Sequence, residues 1–230
     1  SGTAGASSHV RGISGGGFLD PAKSNVIEQL LFSTAGNLSD FGDLAATTQQ
    51  MSSTSNQHGG LEIGIDQRPS VTYMPGSGRG LIQAVGGTNA TVEALHIPTE
   101  GNTFDFGDLS VSRNYAAGGG SLTRAINFGG HNPSLLNTID SVGFSSLGNH
   151  ADFGDTSVTR AYLAGGVGST TRACFAGGLT PSKSDVIDYI TIATEGNATD
   201  FGNLAAATGD VMGGLSSNTR GVFAGGAEPN

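Results

Sequence analysis

An acidic residue followed twelve positions later by Asp-Phe-Gly occurs four times in this chain. That spacing constrains the fold more than any other feature. The pairs are Glu28 and Asp40, Glu93 and Asp105, Asp140 and Asp152, and Asp188 and Asp200. Four copies without slippage identify a repeat on the 20–50-residue scale, the mark of solenoids, propellers and arrays. An Arg-led phrase ending in a glycine pair also recurs, starting at Arg11, Arg79, Arg124, Arg172 and Arg220. The last four of these starts lie 45, 48 and 48 residues apart, whereas the first interval is 68. The first unit therefore carries an insertion of about twenty residues.

The segment holding the acid alternates apolar and polar positions, as in Val-Ile-Asp-Tyr-Ile-Thr-Ile from Val186. Period-two patterning rich in β-branched residues indicates strand, and no segment shows a capped 3.6-residue period. Each acid strand runs into a Gly-Asn pair (Gly36-Asn37, Gly101-Asn102, Gly148-Asn149, Gly196-Asn197), which suits a reversal between antiparallel strands. The Asp-Phe-Gly strand follows, and then an Arg-led run such as Arg113–Gly119 or Arg160–Gly166 leads into the next unit. Four short strands per unit make one twisted antiparallel sheet, and radial closure of such sheets protects their edges. The expected fold is an all-β propeller of four-stranded antiparallel blades, five favoured and four possible, with an open solenoid as its rival. The expected units are residues 10–45, 70–112, 113–159 and 160–207, with closing strands in 208–226 and the insertion in 46–67. Residues 1–9 read as a loose arm or an irregular strand. The glycine pairs read as points where inner strands crowd the axis.

The order of glycine-pair, acid-bearing, aromatic and Arg-led strands resembles the Kelch-type β-propeller repeat, although this chain has no tryptophan. The longer phrase running from an Arg-led Phe-Ala-Gly-Gly opener to Asp-Phe-Gly resembles repeat proteins of tailed bacteriophages, especially marine and cyanobacterial ones. That resemblance implies a non-enzymatic virion protein of a tail, fibre or capsid surface. It also implies a location in the virion and, as partners, other virion proteins or copies of the chain itself. A carbohydrate-binding propeller that holds host surface glycan is the alternative.

Net charge is −9 and no Lys/Arg run is present, which disfavours nucleic acid as a partner. Apolar runs fall far short of a membrane span, so no membrane insertion is expected. The single Cys174 forms no metal pair, and the five histidines share no repeat position. Asp-Phe-Gly suggests a kinase metal site only beside a phosphate loop, a strand lysine and a catalytic loop, none of which occurs. No catalytic residue, metal or cofactor is expected. The repeated carboxylates Asp40, Asp105, Asp152 and Asp200 read as a structural clasp with Arg79, Arg124, Arg172 and Arg220. The alternative is half of a Ca²⁺ site made by the pairs Asp40/Asp43, Asp105/Asp108 and Asp152/Asp155, with Asp200/Asn203, and oxygen also from Asn37, Asn102, Asn149 and Asn197. Outside the repeat, the insertion offers Gln57, His58, Glu62, Asp66 and Arg68 as a candidate binding surface.

Overall fold

The computed structural model describes residues 3–8, 10–19, 21–55, 78–163, 165–209, 212–217 and 219–226, and every regular element among them is a β-strand. The first sheet contains β1 (Ala4–Ser7), β2 (Arg11–Gly15), β3 (Phe18–Leu19), β4 (Ala22–Leu31) and β5 (Ser39–Thr48). The second contains β6 (Ser52–Ser55), β7 (Arg79–Gln83), β8 (Asn89–His96) and β9 (Phe104–Arg113). The third contains β10 (Ala117–Gly120), β11 (Arg124–Phe128), β12 (Thr138–Gly143) and β13 (Ala151–Asp155). The fourth contains β14 (Val167–Gly168), β15 (Arg172–Ala176), β16 (Leu179–Thr180), β17 (Ser182–Thr191) and β18 (Thr199–Thr208). A two-stranded fifth sheet is formed by β19 (Met212–Ser216) and β20 (Gly221–Gly225). All pairings are antiparallel.

The twelve-residue spacing is the register of a hairpin. Glu28 faces Asp40, Glu93 faces Asp105, Asp140 faces Asp152 and Asp188 faces Asp200. In every copy the register shifts beside the acid, so the Phe of Asp-Phe-Gly is the extra residue of a β-bulge. The following glycine (Gly42, Gly107, Gly154 or Gly202) has φ between 138 and 152°. A side chain at that φ would be strained, which explains why glycine recurs there.

Consecutive sheets stack face to face. One apolar core joins Ile27, Phe41 and Leu44 of the first sheet to Ile82, Leu95 and Ile97 of the second. A second unites Val92, Phe106 and Leu109 with Val142 and Phe144. The third places Phe128 on Phe175, ring centroids 4.1 Å apart, among Phe153, Ile190 and Ile192. Among the described residues the cluster against the fifth sheet is small, Ala176 with Ile187, Leu204 and Phe223.

Of the two readings of residues 1–9, the strand holds for residues 4–7, the first strand of the first sheet. From the inserted segment, Ser52–Ser55 supplies the first strand of the second sheet. Residues 56–77, with Gln57, His58, Glu62, Asp66 and Arg68, lie outside the described residues. The strands at the two chain ends, β1 and β20, belong to different sheets, so among the described residues no sheet joins the termini.

The two kinds of glycine pair also have different roles. Opener pairs such as Gly16-Gly17 and Gly177-Gly178 have positive φ and break the second strand of their sheets. Crowding falls on both kinds: a Cβ on the opener glycines Gly129 or Gly178 would overlap the carbonyl of Arg160 or Ala161. A Cβ on Gly118 would overlap the Ser53 carbonyl, and one on Gly214 would overlap that of Gly165.

Candidate functional site

The repeated polar residues converge at the junctions between sheets. The clasp is real in kind but uses other residues than the spacing suggested. Arg113 ends β9 and donates to Asp140 Oδ2 in the next sheet at 2.7 Å, and Arg160 reaches Asp188 Oδ2 at 2.5 Å. All four side chains are fully buried. Each arginine also donates to two carbonyls of the neighbouring sheet, Gly129 and Thr138 for Arg113, Gly177 and Val186 for Arg160. Ser110 and Ser157 complete the clasps by giving their backbone N–H and hydroxyl to the same carboxylates. Burial pulls both guanidinium groups below their ordinary range and pushes the Asp140 carboxyl up, with the partner's charge opposing in each case.

At the first junction the acid is Glu93, which accepts from the Ala45 N–H at 3.2 Å and from the Thr103 hydroxyl. Thr48 stands there where Arg113 and Arg160 stand later. The longer acid thus goes with Ala and Thr, the shorter one with Ser and Arg. That coupling was present in the sequence, as was an acid on the inward face of an apolar strand.

Asp40, Asp105, Asp152 and Asp200 are exposed on the outer strands. Asp152 and Asp200 accept from the N–H groups of Gly154 and Gly202, bracing the bulge. The bulge presents its Phe inward, away from the acid, which is why these carboxylates do not meet the opener arginines. Those arginines form a different link. Arg11, Arg79 and Arg124 donate to the carbonyls of Ile97, Phe144 and Ile192 in the following sheet. Each lies 5.8 Å from the centroid of its own sheet's bulge phenylalanine, Phe41, Phe106 or Phe153. Arg172 instead stacks 4.7 Å over Tyr189, and Arg220 is exposed.

The asparagines of the Gly-Asn turns are also engaged. Asn102, Asn149 and Asn197 accept through Oδ1 from the N–H groups of Asp43, Asp108 and Asp155 in the preceding sheet, each at 3.0 Å. Gly101, Gly148 and Gly196 donate to the Phe41, Phe106 and Phe153 carbonyls. Three of the oxygens considered for a Ca²⁺ half-site, those of Asn102, Asn149 and Asn197, therefore serve as junction clips. Among the described residues no group of three or more His, Cys, Asp or Glu is placed to share a metal ion.

The first strands of all five sheets line one cavity of about 770 Å³. Its walls are mainly glycine, serine and alanine, with Met51 and Leu163 also in the lining. At its edge Gln50, Tyr115 and Tyr162 occupy equivalent positions, each with φ of 55–64°. Left-handed backbone at non-glycine residues is strained, and here it recurs three times in one place. Tyr115 donates its N–H to the Gln50 carbonyl and Tyr162 to that of Tyr115. The two rings stack with centroids 3.8 Å apart. Burial, followed by the hydrogen bond to Tyr162, pushes the Tyr115 hydroxyl up to about 12.

Behind the cavity wall lies a buried polar network. Asn127 Nδ2 donates to Ser52 Oγ and Gln83 Oε1, and Gln83 Nε2 meets His150 Nε2 at 3.0 Å. With the Gln83 amide as donor, His150 accepts on Nε2 and carries its proton on Nδ1, which is buried without a partner. Burial is the largest cause of a His150 pKa lowered to about 4, with Arg113 adding to it.

The fold and these junctions define a class: an all-β protein of stacked antiparallel sheets whose repeat signature is spent on sheet-to-sheet contacts. No protein-family model matches the chain, and no curated protein matches it either.

Proposed function

We propose that this chain is a non-enzymatic structural module, a Kelch-like propeller component of a bacteriophage tail, fibre or capsid surface. The observation that carries the reading is the use of the buried charges. Arg113, Asp140, Arg160, Asp188 and Glu93 all bond across junctions between sheets, so the residues that repeat are those that stack one unit on the next. A module of this design extends or assembles by adding like surfaces, which is the task of a particle component. The phage-like repeat phrase supplies the setting. The test is a proteomic digest of purified particles of the phage that encodes the chain. Multiple copies per particle are expected. Recovery only from the free protein of infected cells would overturn the proposal.

A second reading, capture of host glycan, is favoured by the Tyr115–Tyr162 pair at the edge of the 770 Å³ cavity. Stacked aromatic faces beside hydroxyls and backbone amides suit a neutral sugar ring, where C–H groups pack on the ring and hydroxyls find donors. A glycan array with the wild-type chain and Tyr162→Ala decides it. Binding that disappears in the variant supports the reading, and a blank array removes it.

A further inference from the structure

We infer that Tyr115 and Tyr162 form an oxidative cross-linking site, where one-electron oxidation joins the two rings as dityrosine and closes a covalent loop around the third sheet. This goes beyond the assembly role proposed above and does not depend on it.

The pair is held in place for this chemistry. Its ring centroids are 3.8 Å apart with 27° between the planes. Carbon atoms in contact pack about 3.5–4.0 Å apart, so that separation leaves little lateral offset and lays each ring over the other. Aromatic pairs left to themselves prefer an offset or edge-on arrangement, so here the backbone imposes the stack. It does so through φ of 55° at Tyr115 and 57° at Tyr162, a costly conformation for a bulky side chain. The bond from the Tyr162 N–H to the Tyr115 carbonyl, at 2.9 Å, fixes the two main chains side by side.

The reacting carbons also face one another. The hydrogen bond between the two hydroxyls puts both at the same end of the stack. The ring carbons beside the oxygen, where a phenoxyl radical carries its spin and couples, are therefore opposed. Both tyrosines line the 770 Å³ cavity, which admits a small oxidant and gives the rings room to swing from stacked to edge-joined. The other described tyrosine, Tyr189, meets Phe201 edge-on and lies against Arg172. The single Cys174 leaves no intrachain disulfide to serve the same end.

In the step itself, each phenol gives one electron to the oxidant and its hydroxyl proton to solvent, leaving two phenoxyl radicals. Burial pushes the Tyr115 hydroxyl up to about 12, so there the proton leaves with the electron and not before it. The radicals form one carbon–carbon bond between ortho positions, and the two hydrogens on those carbons pass as protons to the oxygens. In all, two ortho C–H bonds break, one C–C bond forms, and two electrons and two protons leave. Two equivalents of a one-electron oxidant of the sulfate-radical or ferryl class accept the electrons. The new bond joins residues 115 and 162, and β10 to β13 lie wholly inside that loop. Closing it removes freedom from the unfolded chain and keeps the third sheet from detaching.

The test is a pulse of photogenerated sulfate radical on the intact folded chain, lengthened until Tyr189 is modified, then trypsin and mass spectrometry. Tyr115 falls in the peptide Asn114–Arg124 and Tyr162 in Ala161–Arg172. The expected product is these two peptides joined with the loss of two hydrogen atoms, in a chain that still runs as a monomer on a denaturing gel. Its yield should be at least about tenfold higher from folded chain than from chain in urea, because stacking replaces chance encounter. The linked chain should also unfold at higher urea. Tyr162→Phe keeps the stack and should abolish the product. Equal yield from folded and unfolded chain overturns the inference, and so does a folded chain whose Tyr189 is modified while the linked pair is absent. Links found only between copies, seen as dimers on the gel, overturn it as well.

Discussion

Arg113 and Asp140 meet at 2.7 Å between the second and third sheets, with neither side chain exposed to solvent. Removing one partner strands a charge in a place that water does not reach. Arg113→Ala is expected to cost about 3–5 kcal/mol, and replacing both residues together with Met and Leu should recover most of that loss. Urea unfolding of the two single variants and the double variant checks it. Equal destabilisation by the double variant and the singles would mean that shape, and not charge, holds the junction.

Gly154 and Gly202 are equivalent bulge glycines with different neighbours. Both have positive φ, so alanine at either position carries about 1–2 kcal/mol of backbone strain. Only at Gly154 does a Cβ also overlap the seated Gly196 turn. Gly154→Ala should therefore be less stable than Gly202→Ala by a further 1–3 kcal/mol, roughly the cost of overpacking. Matched thermal melts are sufficient, and equal values would remove the seating role assigned to the turns.

Phenylalanine truncation gives an independent comparison of the same two junctions. Phe153→Ala empties a buried site and is expected to cost about 3–5 kcal/mol. Phe201→Ala, mostly exposed, should stay within about 1 kcal/mol. Chemical denaturation of each variant measures both.

His150 makes the fold acid-sensitive. Its folded-state pKa is near 4, below its ordinary 6.5, because the buried ring resists a charge. Between these values the unfolded chain binds more protons than the folded one, so stability rises with pH through this window. The contribution is fully present above pH 6.5 and falls away toward pH 4, by up to about 3 kcal/mol. His150→Asn should flatten this part of the stability–pH curve. An unchanged slope in the variant would assign the acid sensitivity to other groups.

Local chemistry made much of the fold legible. Alternation in Val-Ile-Asp-Tyr-Ile fixes an antiparallel strand with Asp188, Ile190 and Ile192 on one face, and those three residues are buried. The constant twelve-residue interval fixes a hairpin register, because a slipped register would turn the apolar face outward. The bulge at Asp-Phe-Gly was invisible to that reasoning. A bulge needs one extra residue opposite its partner strand, and the count appears only when both strands are aligned.

Partner choice was decided in three dimensions. Asp140 is adjacent in its own hairpin to Asp152, yet it bonds to Arg113 and Ser110 of the preceding sheet. Sequence spacing records contacts within a unit, where separation is constant, and is silent about contacts between units, which depend on how sheets stack. The roles of the glycines divided for the same reason: Gly177 answers a local φ, whereas Gly118 answers the approach of Ser53 from another sheet. By itself the sequence determined the strands, their hairpin registers and the repeat. Tertiary structure decided which charges pair and which turns are seated, because each of these is set by the distance between sheets.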